Sequence, residues 1–248
     1  MIYKDEPEDW KDLEIKVNAI LSECGMNSQR NADITTVRGE VNVDILAIDS
    51  ASLPKIIYIC ECKHWNSPIP KTIIHAFRTV VQDYGAHVGI IISKNGFQSG
   101  AFDAATMANI ELLNWFEFQE LFLERWKENR YQMLKPLLED VFEYYDYLSA
   151  PIGNAISGNS DRMEEWGSLL KKHGAIADAN PYTRIGGMRP WPPSLPANII
   201  TFDDLENEIS ETFKDYHSLY DFIEKRGNQA LSEFRQFVSK YRTGPVTE

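Results

Sequence analysis

Two apolar runs separated by one helix-length segment constrain this chain most. The first, KIIYICEC over residues 55–62, is the most strongly strand-like stretch in the sequence. The second, HVGIIIS over residues 87–93, is apolar without alternation, as expected of a strand buried on both faces. Between them, residues 68–84 read as a helix, with Pro70 near its start. Upstream, residues 33–38 are rich in Thr and Val, Gly39-Glu40 reads as a turn, and residues 41–48 alternate and are β-branched. Asp49 to Ser52 then reads as a loop. These runs predict an antiparallel meander. Downstream, residues 97–108 read as a helix, 110–113 as a short strand and 116–126 as a helix. The order α-β-β-β-α-β-α-β implies an α/β domain, a mixed sheet flanked by helices.

The leading helix, residues 9–24, carries an apolar stripe of Trp10, Leu13, Val17, Ile20, Leu21 and Cys24, and Gly25 supplies a stop. Glu14 falls inside that stripe, where a carboxylate is costly unless something pairs with it. Otherwise its carboxylate must reach out to water along the helix edge.

Beyond residue 128 the signals are mainly helical and less regular, so the chain divides into 1–128 and a helical accessory or interaction region, 129–248. Residues 131–148 read as an aromatic-rich helix, 150–161 as a Gly/Ser/Asn loop and 182–199, with four prolines, as a loop. Residues 202–241 read as two helices broken near Gly227. Phe142, Tyr144, Tyr145 and Tyr147 read as core, and His173 and His217 have no evident metal partners.

Charge and cysteine usage bound the function. The net charge is −12. Residues 1–125 alone hold 11 Lys and Arg against 18 Asp and Glu, so this half is itself acidic. Phosphate is repelled by such a surface at long range, which argues against tight unaided binding of nucleic acid. Cys24, Cys60 and Cys62 form no bridging framework and read as reduced core residues of a cytoplasmic protein. The opening MIYKDEPEDW does not read as a secretory signal, and no apolar run is long enough for a membrane span.

The chemistry lies on the two central strands. Asp44 interrupts the apolar Val43-Asp44-Ile45-Leu46, and period-2 geometry puts Ile57, Ile59, Glu61 and Lys63 on one face. Adjacent antiparallel strands can set Asp44 opposite Glu61. Two neighbouring carboxylates repel, and a divalent cation relieves that repulsion; hard oxygen ligands suit Mg²⁺ or Mn²⁺. The backbone carbonyl of Cys62 is a candidate third ligand. Lys63 is placed to orient or help deprotonate a water and to offset charge on a phosphate. A plain surface ion pair between Glu61 and Lys63 is the simpler alternative.

Asp44 followed, after sixteen residues, by Glu61-Cys62-Lys63 resembles the PD-(D/E)xK nuclease signature. With Glu14 and the segment GFQSGAFDAATMANIELLNW, residues 8–125 resemble its Mrr-like restriction endonuclease branch. The resemblance implies a restriction-endonuclease-like fold and Mg²⁺-dependent hydrolysis of DNA phosphodiesters. It makes Asp44 and Glu61 metal ligands, Lys63 the catalytic lysine and Glu14 an accessory carboxylate. Val43 stands where the family has proline before the first acid. His64, Gln82 and Lys94 are candidate substrate contacts, while Trp65 reads equally well as packing over the sheet edge. The acidic surface and the lack of a nucleotide-binding loop fit an effector in bacterial defence that works with a protein partner or sensor subunit. One site per chain favours a dimer or higher homo-oligomer for double-strand cleavage. The other class of reading is a non-catalytic nucleic-acid or protein-binding module on the same fold.

Overall fold

The computed structural model describes residues 1–179 and 191–241, which divide into two compact units, 1–130 and 131–248. The first begins with helix α1, Trp10–Glu23, whose N-cap Asp9 accepts the Asp12 amide at 2.8 Å. Leu13, Glu14, Val17, Ile20 and Leu21 are buried, while Trp10 is half exposed, so the stripe starts one turn later than its spacing suggests. Gly25, at φ +81°, ends the helix in the left-handed conformation that suits glycine.

Strands β1 (Asn27–Thr36), β2 (Gly39–Asp49) and β3 (Ile56–Lys63) form the expected antiparallel meander. β1 starts six residues before its apolar signal because it is a sheet edge, and its polar first half pairs with β2 through Asn27↔Ile48. Helix α2, Lys71–Tyr84, crosses to β4, Val88–Ser93, which lies parallel to β3. Short α3, Ser99–Ala105, leads to β5, Ile110–Leu113, parallel to β4. The order is β1-β2-β3-β4-β5. Ile90, Ile91 and Ile92 of β4 are fully buried, as their unbroken apolar run requires. Gly89 sits where α2 presses on the sheet: a Cβ there would lie 2.7 Å from Val81 and 2.8 Å from Phe77. Cys24, Cys60 and Cys62 are buried and free. Helix α4, Trp115–Phe142, carries the chain into the second unit.

That unit departs from the sequence reading in three places. The helix expected over 131–148 ends at Phe142 and passes into a single 3₁₀ turn, Glu143–Tyr145. The expected loop over 150–161 contains α5, Ala150–Ile156, and the start of α6, Ser160–Lys172. Its Gly, Ser and Asn content hid the spacing of Ile152, Ala155 and Ile156, which pack against Phe237. Two helices were expected over 202–241. After α7, Gly174–Ala179, there is instead a hairpin, β6 (Ala197–Phe202) with β7 (Glu208–Phe213), and then one unbroken helix, α8 (Tyr216–Tyr241). Gly227 does not break α8; a Cβ there would meet Leu137 at 3.0 Å, so the glycine admits a close neighbour. Of the loop expected over 182–199, residues 182–190 lie outside those described and 197–199 belong to β6. Tyr144 and Tyr145 pack on Phe234 and Tyr147 on Trp166.

Candidate active site

The β2–β3 ladder ends at Ile45↔Cys60, so the next residues in register are Asp44 and Glu61. There the strands part. Asp44 Oδ2 accepts the Cys62 amide at 2.7 Å, and a side chain replaces the missing rung. The core side of β2 also changes at this residue. Leu46 packs with Ile57 and Ile59 against Ile74 and Phe77 of α2, whereas beyond Asp44 it is Val43 and Val41 that join this cluster. On β1 the residue facing Asp44 is Asn31, which is skipped in the pairing and has φ +49°. A left-handed residue inside a strand is a local twist that asparagine tolerates better than most. Asp44 stands at the crossing point, half-buried, with one carboxylate oxygen on the Cys62 amide.

Glu61 and Lys63 end β3 on one face. Lys63 Nζ contacts Glu61 Oε1 and lies 3.9 Å from Asp44 Oδ2, and all three side chains are largely but not fully buried. Burial pushes the Glu61 carboxyl up, the Asp44 charge adds to this, and Lys63 only partly offsets them. Burial works to lower the Lys63 pKa, yet Glu61 and Asp44 outweigh it and hold the ammonium charged. The ammonium therefore offsets one of the two negative charges and leaves the other unanswered.

The donor set fits a hard divalent cation. Asp44 and Glu61 supply two adjacent carboxylates. A strand residue sends its N–H and C=O to the same side, so the Cys62 carbonyl leaves β3 on the side where its amide meets Asp44. These three oxygens are the ones that would hold Mg²⁺ or Mn²⁺, hard cations that take oxygen ligands while keeping waters. Among the described residues no cluster of three His, Cys, Asp or Glu side chains is placed to hold a metal. The carbonyl is needed to complete the set.

The other candidates divide. Glu14 is buried, which overturns the reading that its carboxylate reaches out to water. It pairs with Arg30 Nη2 at 2.9 Å and lies close enough for its charge to raise Glu61 slightly. Arg30 was missed because its segment lacks strand character; the signal was Glu14 itself, whose carboxylate in an apolar stripe required a partner. His64 follows Lys63, but its Nε2 meets the Pro7 carbonyl at 3.1 Å and so ties down the N-terminal arm. Lys94 is exposed beside the site, its amide donating to the Lys63 carbonyl at 3.0 Å. Gln82 is not brought to the site. It is exposed near the far end of α2, and His87, just beyond, bonds the Ile57 carbonyl. Ile57 is four residues, roughly 13 Å, from Glu61 along β3. Trp65, 41% exposed, offers its ring to Lys63 Nζ at 5.9 Å, so it borders the site rather than only capping the sheet edge.

Residues 6–122 match the family model Mrr_cat, described as restriction endonuclease. No curated protein matches the chain. A crystal structure described as a protein of unknown function, AF1548, is similar over 92% of this chain and 97% of its own, at 12% identity and a TM-score of 0.38. Residues 6–122, which carry the αβββαβ frame and the Asp44, Glu61 and Lys63 cluster, are thus an Mrr-like restriction endonuclease domain of the PD-(D/E)xK nuclease type.

Proposed function

We propose that this chain is a divalent-metal-dependent DNA endonuclease. The observation that carries the reading is the meeting of Asp44, Glu61 and Lys63 where β2 and β3 part. Asp44, Glu61 and the Cys62 carbonyl would hold Mg²⁺ or Mn²⁺, which when bound acidifies water and offsets charge on the phosphate. The chain's own groups do the rest. Lys63 donates hydrogen bonds to a phosphate oxygen as water's oxygen bonds to phosphorus and loses its proton toward bulk water, while the phosphodiester P–O bond breaks and the leaving oxygen takes a proton from solvent. Lys63 is also placed to orient the attacking water or help deprotonate it, since a bound cation would offset the two acids that hold its charge. Glu14, fixed and charge-balanced by Arg30, stands near the carboxylates.

The acidic character of the chain supports an effector role in defence against phage or foreign DNA, with a protein partner or sensor supplying the grip on DNA. A dimer would align two sites for a double-strand cut. The test is cleavage of supercoiled plasmid with Mg²⁺ or Mn²⁺, alone and with co-expressed partners. Wild type is expected to nick or cut, while Lys63→Ala loses about 10²–10³-fold in rate, the scale seen when one charge-stabilising group is removed, with a circular dichroism spectrum that shows it is still folded. Equal behaviour of the two proteins under every condition would sink the proposal.

A further inference from the structure

A cavity of about 200 Å³ lies one residue beyond Lys63, at the carboxyl ends of the parallel strands β3, β4 and β5. That is where open α/β sheets take ligands. Leu13, Trp115 and Phe116 give it apolar and aromatic walls, and His64, Lys94 and Asn114 give it polar ones. Lys94 and His64 join it to the active site: the Lys94 amide donates to the Lys63 carbonyl, and His64 is the next residue in the chain. The N-terminal arm closes one side, with Pro7 held by His64 and the Tyr3 amide bonded to Gln119 Oε1 at 2.6 Å.

A second observation concerns hydrogen bonding. Trp115 is 4% exposed and its indole N–H has no acceptor. Gln119, one helical turn on and fully buried, has an equally unpartnered side-chain amide nitrogen. Buried donors are almost always satisfied, so the unanswered indole N–H of Trp115, which lines the cavity, is where an acceptor-bearing group would bond; Gln119 lies outside the lining. Size decides what kind. Sites for drug-sized ligands span about 300–1,000 Å³. This cavity suits a single planar ring system with carbonyl or ring-nitrogen acceptors, not a whole dinucleotide. Phe116, 40% exposed, offers a stacking surface at this site.

We infer that this cavity receives a nucleobase extruded from the DNA strand beside the phosphate held at Lys63. The inference rests on the nuclease reading of Asp44, Glu61 and Lys63. It gives an acidic domain a grip on DNA that does not depend on many phosphate contacts. A free nucleotide has the same base chemistry, and the experiment separates the two sources.

The test uses the full chain and a cleaved duplex carrying 5-iodouracil at one position at a time, irradiated in complex and mapped by mass spectrometry. The expected result is one position next to the cut that crosslinks to the peptide containing Trp115 and Phe116. Trp115→Phe keeps an aromatic ring and loses the donor, so it should bind the same duplex about five-fold more weakly, the effect of one neutral hydrogen bond; an unchanged circular dichroism spectrum shows that it is folded. A duplex that is cut while no position crosslinks to residues 114–116 or to His64 overturns this inference and leaves the nuclease reading standing. So does a crosslink at those residues that disappears only when the free nucleoside monophosphate is added, with no preference for a position near the cut. A chain that cuts no DNA with any metal or partner overturns the nuclease reading and this inference together.

Discussion

Burial separates two kinds of acid in the first unit. Asp49 is fully buried. Arg125 Nη1 lies 2.5 Å from it, and the Ser52 hydroxyl and Ala51 amide also donate to it. The guanidinium outweighs the burial and holds the carboxyl well below the usual range. All its lone pairs are answered within the fold, so it is structural. Arg125→Met strands that charge, and urea denaturation should show a loss of about 3–5 kcal/mol. Asp44 and Glu61 are half-buried and held by one lysine, and the strain between them is kept. In the sequence the two kinds look alike, an acid at or near a strand end. Spacing and face placed Asp44, Glu61 and Lys63 correctly because strand alternation is local. Arg125 comes from 76 residues away and Arg30 from a different element than Glu14, and no local period reports either pairing.

Elements were legible in proportion to how far one face decides them. The buried β4, the meander and α2 follow from their periodicity. The β6–β7 hairpin and unbroken α8 did not, because exposed strands lack an apolar period and Gly227 reads as a breaker until its neighbour Leu137 is known. The α2–β4 contact gives a direct test: Gly89→Ala should cost about 1–3 kcal/mol, since Val81 and Phe77 must move to admit one methyl. Thermal denaturation of the two proteins would show it, and an unchanged midpoint would mean that α2 is free to shift. In the second unit, α6 and α8 are joined by charge. Lys172 and His173 lie 2.9 Å from Glu233, and Gln229 donates to it as well. Burial raises this carboxyl, but the hydrogen bonds from Lys172, His173 and Gln229 outweigh it and hold it at about 2. Burial also lowers the His173 pKa, despite the pull of Glu233. Both groups are protonated more readily in the unfolded chain. Their contribution is complete at neutral pH; the His173 part begins to fade as the pH falls through about 6.5, and the Glu233 part fades from about 4.5 toward 2. Glu233→Gln should flatten the acid limb of the melting curve, and circular dichroism between pH 7 and 3 would measure it.

At the scale of the molecule, each of the two compact units carries its own handle. Acid should act on residues 131–248 through Glu233, and a divalent cation on residues 1–130 through Asp44 and Glu61. If a cation binds only the folded site, 100-fold excess over its dissociation constant stabilises by about 2.7 kcal/mol. Calorimetry should therefore show Mg²⁺ or Mn²⁺ raising the transition of the first unit in wild type and failing to do so in Asp44→Asn. One bond within that site has a consequence of its own. Because the Cys62 amide is held by a carboxylate and not by a neighbouring strand, its proton is as secure as that side chain's position. Anything that draws Asp44 away from β3 loosens it. The exchange rate of this single hydrogen then becomes an internal clock for the site, readable by mass spectrometry or NMR in a chain that has cut nothing.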